Sequence, residues 1–275
     1  MDMTGEFVVI TGATSGIGWT YAREFARRGA RLLLCGRRRE LLERRRDEAL
    51  ATGAGSAETL AGDLGDEQVV GQLLSRLASE DAAVLVNNAG FGHSSPVADA
   101  AEAELRRMLR VQAEVPLRLI RVAAAGMSRR GSGLIVNVGS LAGRAAVPGS
   151  AVYVSTKIYL ERLSETLALE LAGHGVVVQA LTPGYVRTDF HRDVKNIDER
   201  RRNRGLVRWM EPEDVVRRSL AVAERAERTL RRHPGRVLRK NVVVIPGLAN
   251  RVLGALSAFV PRTLVYRAAT SRKPV

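Results

Sequence analysis

The sequence predicts an α/β fold: a doubly wound parallel sheet with helices on both faces, in a single domain spanning residues 1–275. Three observations carry this reading. Short apolar runs alternate with longer amphipathic segments. A glycine-rich stretch joins the first run to the first amphipathic segment. No linker rich in Pro, Gly or Ser divides the series. The runs read as strands at Phe7 to Ile10, Arg31 to Cys35, Ala57 to Ala61, Ala83 to Asn87, Gly133 to Val138, Val176 to Leu181 and Asn241 to Ile245. Helical spacing marks Gly16 to Arg28, where Ile17, Tyr21 and Phe25 share a face, then Arg38 to Thr52, Glu67 to Ser79, Ala101 to Arg129 and Val152 to Ala172. Residues 185–210 form a polar, Arg-rich connection of the kind that serves as a substrate lid loop. Pro212 to Glu227 resumes a helix, its start marked by Glu211, Glu213 and Asp214. Residues 248–275 form a C-terminal extension that begins as an apolar helix, with Leu248, Val252, Leu256 and Phe259 at helical spacing, expected to pack on its own domain or a second subunit, the alternatives being a lid over an apolar substrate or a membrane-surface contact. Right-handed crossovers complete a three-layer, Rossmann-type architecture.

Composition narrows the function classes. The formal charge is +14, yet only Lys157, Lys195, Lys240 and Lys273 are lysines, and the arginines are scattered over the helical segments. This reads as solvated helix faces rather than a dedicated nucleic-acid surface. Aromatic residues make up only 4%, too few for a base-stacking platform. A single cysteine, Cys35, excludes an intramolecular disulfide framework and fits a reducing compartment. The four histidines form no H-x-x-x-H pair, so no metal is expected. The opening residues lack a signal-peptide pattern, and the apolar stretch from Val242 to Val265 is cut by Pro246, Arg251, Pro261 and Arg262. The expectation is a cytoplasmic protein with no transmembrane segment.

Thr11-Gly12-Ala13-Thr14-Ser15-Gly16-Ile17-Gly18 lies between the first strand and the first helix. Glycines there allow a sharp turn and bring backbone N–H groups close to a pyrophosphate at a helix N-terminus. The second strand then ends where a dinucleotide site reads the adenosine ribose. An acidic residue at that point would accept from a free 2′-hydroxyl; Arg37 and Arg38 stand there instead, which favours a 2′-phosphate and hence NADP(H). Asp63 and Leu64, after the third strand, can offer a carboxylate and an N–H to the adenine edge. Asn87-Asn88-Ala89-Gly90 forms another strand-end turn against the cofactor.

Tyr153 and Lys157 are one helical turn apart and project from one face. A tyrosine is a poor acid-base group at neutral pH unless a nearby cation favours its phenolate, and Lys157 supplies that cation. Ser140 follows the Gly133 to Val138 strand, at the sheet edge where open α/β folds bind ligands. Together the three make a proton-transfer site for a carbonyl/alcohol pair.

Taken in order, Thr11-Gly12-x-x-x-Gly16-x-Gly18, Asn87-Asn88-Ala89-Gly90, Ser140, Tyr153-x-x-x-Lys157 and Pro183-Gly184 resemble the short-chain dehydrogenase/reductase superfamily, over Glu6 to Thr188. The resemblance implies that Tyr153 is the general acid-base, that Lys157 binds the nicotinamide ribose and lowers the Tyr153 pKa, and that Ser140 orients the carbonyl. It implies cofactor contacts from Gly12, Ser15, Gly16, Ile17, Gly18, Asn88, Ala89, Gly90, Val111, Pro183, Gly184, Val186 and Thr188. It also implies a homodimer or homotetramer. One position departs from the family pattern: Gln112 stands where an asparagine usually holds a relay water, one methylene further out.

The function expected is NADPH-dependent carbonyl reduction, reversible as alcohol oxidation, on a small-molecule substrate that can be carrier-bound. Arg200, Arg201, Arg202 and Arg204 would suit an acidic carrier. The alternative is an NADP(H)-binding regulatory protein with little turnover, motivated by Gln112 and opposed by the intact Ser140, Tyr153 and Lys157.

Overall fold

The computed structural model describes residues 2–92, 94–191 and 208–259. Seven strands form one parallel sheet in the order β3-β2-β1-β4-β5-β6-β7. They are β1 (Phe7–Thr11), β2 (Arg31–Gly36), β3 (Ser56–Ala61), β4 (Val84–Asn87), β5 (Gly133–Val138), β6 (Val176–Leu181) and β7 (Val243–Val244). Their side chains alternate between two cores. Val8, Ile10, Leu32, Leu34, Val84, Val86, Leu134 and Val136 face one side, against α1 (Gly16–Ala26) and α7 (Pro212–Arg232). Phe7, Val9, Leu33, Leu85, Ile135 and Val178 face the other, against α3 (Glu67–Ser79) and α5 (Val115–Arg130). Burial on both faces explains why these strands read as unbroken apolar runs. α2 (Arg39–Thr52), α4 (Glu102–Leu109), α6 (Ala151–Leu171) and α8 (Leu248–Phe259) complete the helices that matter below.

The strand order reverses between β1 and β4, and the two strand ends are stitched together there. The Thr11 hydroxyl accepts from the backbone N–H groups of Asn88 (3.0 Å) and Ala89 (3.1 Å). The Asn88 amide donates to the carbonyls of Thr11 (3.1 Å) and Gly12 (3.0 Å). Open α/β sheets hold ligands at such a reversal, beyond the carboxyl ends of the strands.

Two elements differ from the sequence expectation. The helix expected from Ala101 to Arg129 is interrupted by a π turn at Arg110–Glu114, between α4 and α5. Pro116 has no N–H to give the Gln112 carbonyl, and its ring crowds that carbonyl, so the regular ladder opens one residue wide. The strand expected from Asn241 to Ile245 is reduced to Val243–Val244, because Arg239–Val242 forms a helical turn. The Asn241 N–H donates to the Leu238 carbonyl at 2.8 Å in that turn.

The 185–210 connection leaves and returns at one point. Val186 and Met210 form a parallel bridge, with Met210 N–H donating to Tyr185 O (3.0 Å) and Arg187 N–H to Met210 O (2.9 Å). Arg200, Arg201, Arg202 and Arg204 lie outside the described residues, as does the extension beyond residue 259. The apolar stripe of α8 does not pack on the domain: Leu248, Val252 and Leu256 are 70%, 41% and 47% exposed. The helix seats itself instead through Asn250 and Gly254, both buried. No described helix is long and apolar enough to cross a membrane.

Candidate active site

At the nucleotide end, Gly12 (φ 68°) and Gly16 (φ 58°) adopt left-handed backbone that side chains rarely take. A methyl at Gly18 would lie 2.4 Å from the Gly12 carbonyl oxygen, and one at Gly16 would lie 2.7 Å from the Thr188 methyl. The turn therefore closes on itself and receives the Pro183-to-Thr188 segment only because these positions are glycine. Ser15 stands at the N-cap of α1 without a side-chain capping bond, and no acidic residue occupies the first turn. Arg38 reaches over this turn from the end of β2. Its guanidinium donates to Thr14 Oγ1 (2.8 Å) and Ser15 Oγ (2.9 Å) and pairs with Asp189 (3.2 Å). Arg37 is exposed beside it. Ile17, Val111 and Val186 are buried along the same end of the sheet.

Asp63 already has partners. Its carboxylate accepts from Arg107 at 2.6 and 3.2 Å and from the Gly65 N–H at 2.8 Å. Partial burial works to raise its pKa, but the Gly65 hydrogen bond, Arg107 and the nearby Arg37 outweigh it and hold the carboxyl below its ordinary range. Arg107 also stacks on Phe91, 4.7 Å from the ring centre. Leu64 is buried.

At the chemical end, α6 carries Tyr153 and Lys157 to the mouth of β5. Burial pushes the Tyr153 phenol up to about 12, against the hydrogen bond from Ser140, which favours the phenolate. Ser140 is fixed in turn: its Oγ accepts from the Ala142 N–H at 3.1 Å, capping the 3-10 turn Leu141–Arg144. Lys157 is buried, donates to the Val138 carbonyl at 3.1 Å, and is pushed down to about 8 by desolvation. Its Nζ lies 5.6 Å from the Tyr153 ring centre. Burial is the largest influence on the Tyr153 phenol in this arrangement.

Gln112 sits in the π turn, buried, and donates to the Phe91 carbonyl at 2.9 Å, while its Oε1 has no hydrogen-bond partner among the described residues. A methyl at Gly90 would lie 2.9 Å from that Oε1 and 3.4 Å from Lys157 Nζ. Gly90 thus sits where Gln112 and the lysine ammonium converge. Pro183 O accepts from Leu141 N–H at 2.9 Å, which ties the Ser140 turn to the Pro183-Gly184 turn.

Two contacts had no local signal in the sequence. Phe190 lies against Tyr153, with ring centres 5.9 Å apart, and Tyr185 against Trp209 at 5.0 Å. Aromatic residues in an irregular connection carry no periodicity that would place them. Among the described residues no cluster of His, Cys, Asp or Glu could hold a metal.

A family model described as short chain dehydrogenase matches residues 6–199. The very-long-chain 3-oxoacyl-CoA reductase of Bos taurus is 32% identical over 188 residues, 67% of this chain and 60% of that protein. The dehydrogenase/reductase SDR family member 7B of Bos taurus is 31% identical over 70% of this chain and 61% of its own length. The chain thus spans about three fifths of these curated relatives. Among solved structures, a short-chain dehydrogenase from Sphingobium yanoikuyae in complex with NADPH superposes with a TM-score of 0.78, at 29% identity and 95% coverage of both chains. The bulky-bulky ketone specific alcohol dehydrogenase from Comamonas testosteroni gives 0.75, at 28% identity, covering 97% of this chain and 95% of that one. With its seven-stranded parallel sheet and a family match over most of its length, the chain belongs to the short-chain dehydrogenase family of oxidoreductases.

Proposed function

We propose that this protein is an NADP(H)-dependent carbonyl reductase, reversible as an alcohol dehydrogenase, with Tyr153 as its general acid-base. The observation that carries the reading is the meeting of the Tyr153 phenol, the Ser140 hydroxyl and buried Lys157, with a close-packed glycine turn at the same end of the sheet that would take a dinucleotide. The fit rests on the uncapped start of α1 and on Arg38 held beside Ser15, a guanidinium-hydroxyl pair suited to a ribose phosphate. Arg37 and Arg38 would read that phosphate; Asn88, Ala89, Gly90, Val111 and the Pro183-to-Thr188 segment would line the remainder.

A bound nicotinamide supplies the hydride for reduction of the carbonyl carbon. With its pKa pushed up to about 12, Tyr153 keeps its proton at neutral pH and can donate it to the developing alkoxide. Ser140, whose Oγ accepts from the Ala142 N–H, would donate a hydrogen bond to the same oxygen. Lys157, fastened to the Val138 carbonyl, brings a cation to the tyrosine from the dry side of the site. Phe190 and Tyr185 give the mouth aromatic walls, which suit an apolar ketone better than a polyol.

Titration with NADPH and NADH at fixed salt, on the wild type and on an Arg37→Asp/Arg38→Ala double variant, tests the cofactor half. The wild type should prefer NADPH and the variant should lose that preference. Binding of neither nucleotide by the wild type would contradict the reading.

A further inference from the structure

Beneath the catalytic turn lies an ion pair that the chemistry above does not use. Glu161 follows Lys157 by one turn of α6, and its side chain is only 3% exposed. Arg144, the last residue of the turn that Ser140 caps, meets it with two donors: Nε to Oε2 at 3.1 Å and Nη2 to Oε1 at 2.6 Å. The Thr182 hydroxyl donates to Oε2 at 3.3 Å, from the residue just before Pro183-Gly184. Nη1 of Arg144 turns the other way and donates to the Gly254 carbonyl of α8 at 3.3 Å. One guanidinium therefore touches both the helix that carries Tyr153 and Lys157 and the C-terminal helix.

The surrounding packing makes this a joint rather than a casual contact. A methyl at Gly143 would lie 2.9 Å from the Ile158 nitrogen and 3.2 Å from Lys157 Cβ, so the Ser140 turn rests on the α6 backbone at the lysine itself. A methyl at Gly254 would lie 2.9 Å from Ile245 Cδ1 and 3.3 Å from Leu141 Cδ2, so α8 rests on the residue next to Ser140. At the start of α8, Asn250 donates to the Pro246 carbonyl at 3.0 Å, and a methyl at Gly184 would lie 2.5 Å from Asn250 Oδ1. α8 thus abuts the Ser140 turn and the Pro183-Gly184 turn together.

We propose that Arg144 and Glu161 are positioning residues that lock the Ser140 turn to the Lys157 helix and clamp the C-terminal helix against both, making that helix part of the active-site wall. The inference rests on the reductase reading for its kinetic consequence, but not for its structural one. A buried carboxylate holds a guanidinium in one rotamer through two-point geometry. The rotamer sets the height of the turn below Ser140, and the spare donor fixes the register of α8. Small displacements of a hydroxyl that must meet a reacting oxygen are expensive in rate.

The test uses the full chain with Arg144→Lys, Arg144→Met and Glu161→Gln. Two readouts are taken: amide hydrogen exchange over residues 140–144 and 248–254, and NADPH-dependent ketone reduction. Arg144→Met should speed exchange in both segments together and lower kcat by about tenfold or more, with NADPH affinity held within about threefold. Arg144→Lys retains one contact to Glu161 and should recover much of the kcat while α8 stays loosened. Glu161→Gln keeps the volume and should fall between them. Faster exchange at unchanged kcat in all three would show a purely structural pair and overturn the proposal. So would exchange confined to one segment in Arg144→Met, the variant that removes every contact of the guanidinium. If the wild type reduces no ketone, the reductase reading fails on its own, and coupled exchange across the two segments still decides whether the clamp exists.

Discussion

Lys157 carries a burial cost that the proposed chemistry would put to use. Its folded pKa, near 8, lies below the ordinary value of 10.5, because its ammonium is buried with one carbonyl partner at 3.1 Å. The folded state therefore gives up this proton more readily than the unfolded chain. The cost of the buried charge is present in full below about pH 8, and it is relieved as pH rises toward about 10.5. Lys157→Met should raise the melting temperature of the cofactor-free protein at neutral pH by a few degrees, flatten the rise in stability between about pH 8 and pH 10, and abolish turnover. Thermal melts across that pH range check the sign. Arg38 makes a second residue-level prediction. Arg38→Ala should weaken NADPH by about 10- to 100-fold and leave NADH nearly unchanged, as measured by fluorescence titration. The positions of Arg37, Arg38, Ser140, Tyr153 and Lys157 on the fold were legible because each is defined by its offset from a strand end or a helical turn. The prior engagement of Asp63 was not, because Arg107 arrives from α4, 44 residues away.

At the level of elements, strands buried on both faces were the most readable: Gly133–Val138 and Val176–Leu181 have the bounds expected from their apolar runs. β7 was overread because an apolar Val-Val-Val-Ile run fits the last turn of a short helix as well as a strand. The π turn at Arg110–Glu114 had one sequence cue, Pro116, which removes the donor that the Gln112 carbonyl needs. That turn brings Gln112 to the Phe91 carbonyl, so its value can be measured. Gln112→Leu keeps the bulk but leaves that carbonyl without a donor, which should cost about 1–3 kcal/mol in chemical denaturation. The same variant should lower kcat more than it weakens NADPH. A loss confined to stability would place Gln112 outside the proton-transfer machinery.

Over the whole molecule, many arginines pair locally with carboxylates, and the excess of 14 positive charges is spread along the chain. Arg76 lies between Glu58 and Glu80, Arg110 and Arg118 share Glu67, and Arg28 meets Glu224 at 2.8 Å. Charges dispersed this way bind polyanions without specificity. Association with a duplex DNA of any sequence should therefore collapse between about 50 and 200 mM salt in an anisotropy titration. The sequence disclosed the layered sheet because its period is local. It did not disclose which face of the C-terminal helix turns inward, because Asn250 and Gly254 do the docking while the apolar stripe faces solvent. The central claim, an NADPH-driven carbonyl reductase acting through Tyr153, is tested most directly by following NADPH oxidation with a graded series of apolar ketones, for the wild type and Tyr153→Phe. Turnover with NADPH well above that with NADH, reduced about 10²- to 10⁴-fold in Tyr153→Phe with NADPH binding retained, is the expected result. Equal turnover in wild type and Tyr153→Phe, or tight NADPH binding with no ketone reduced, would contradict it.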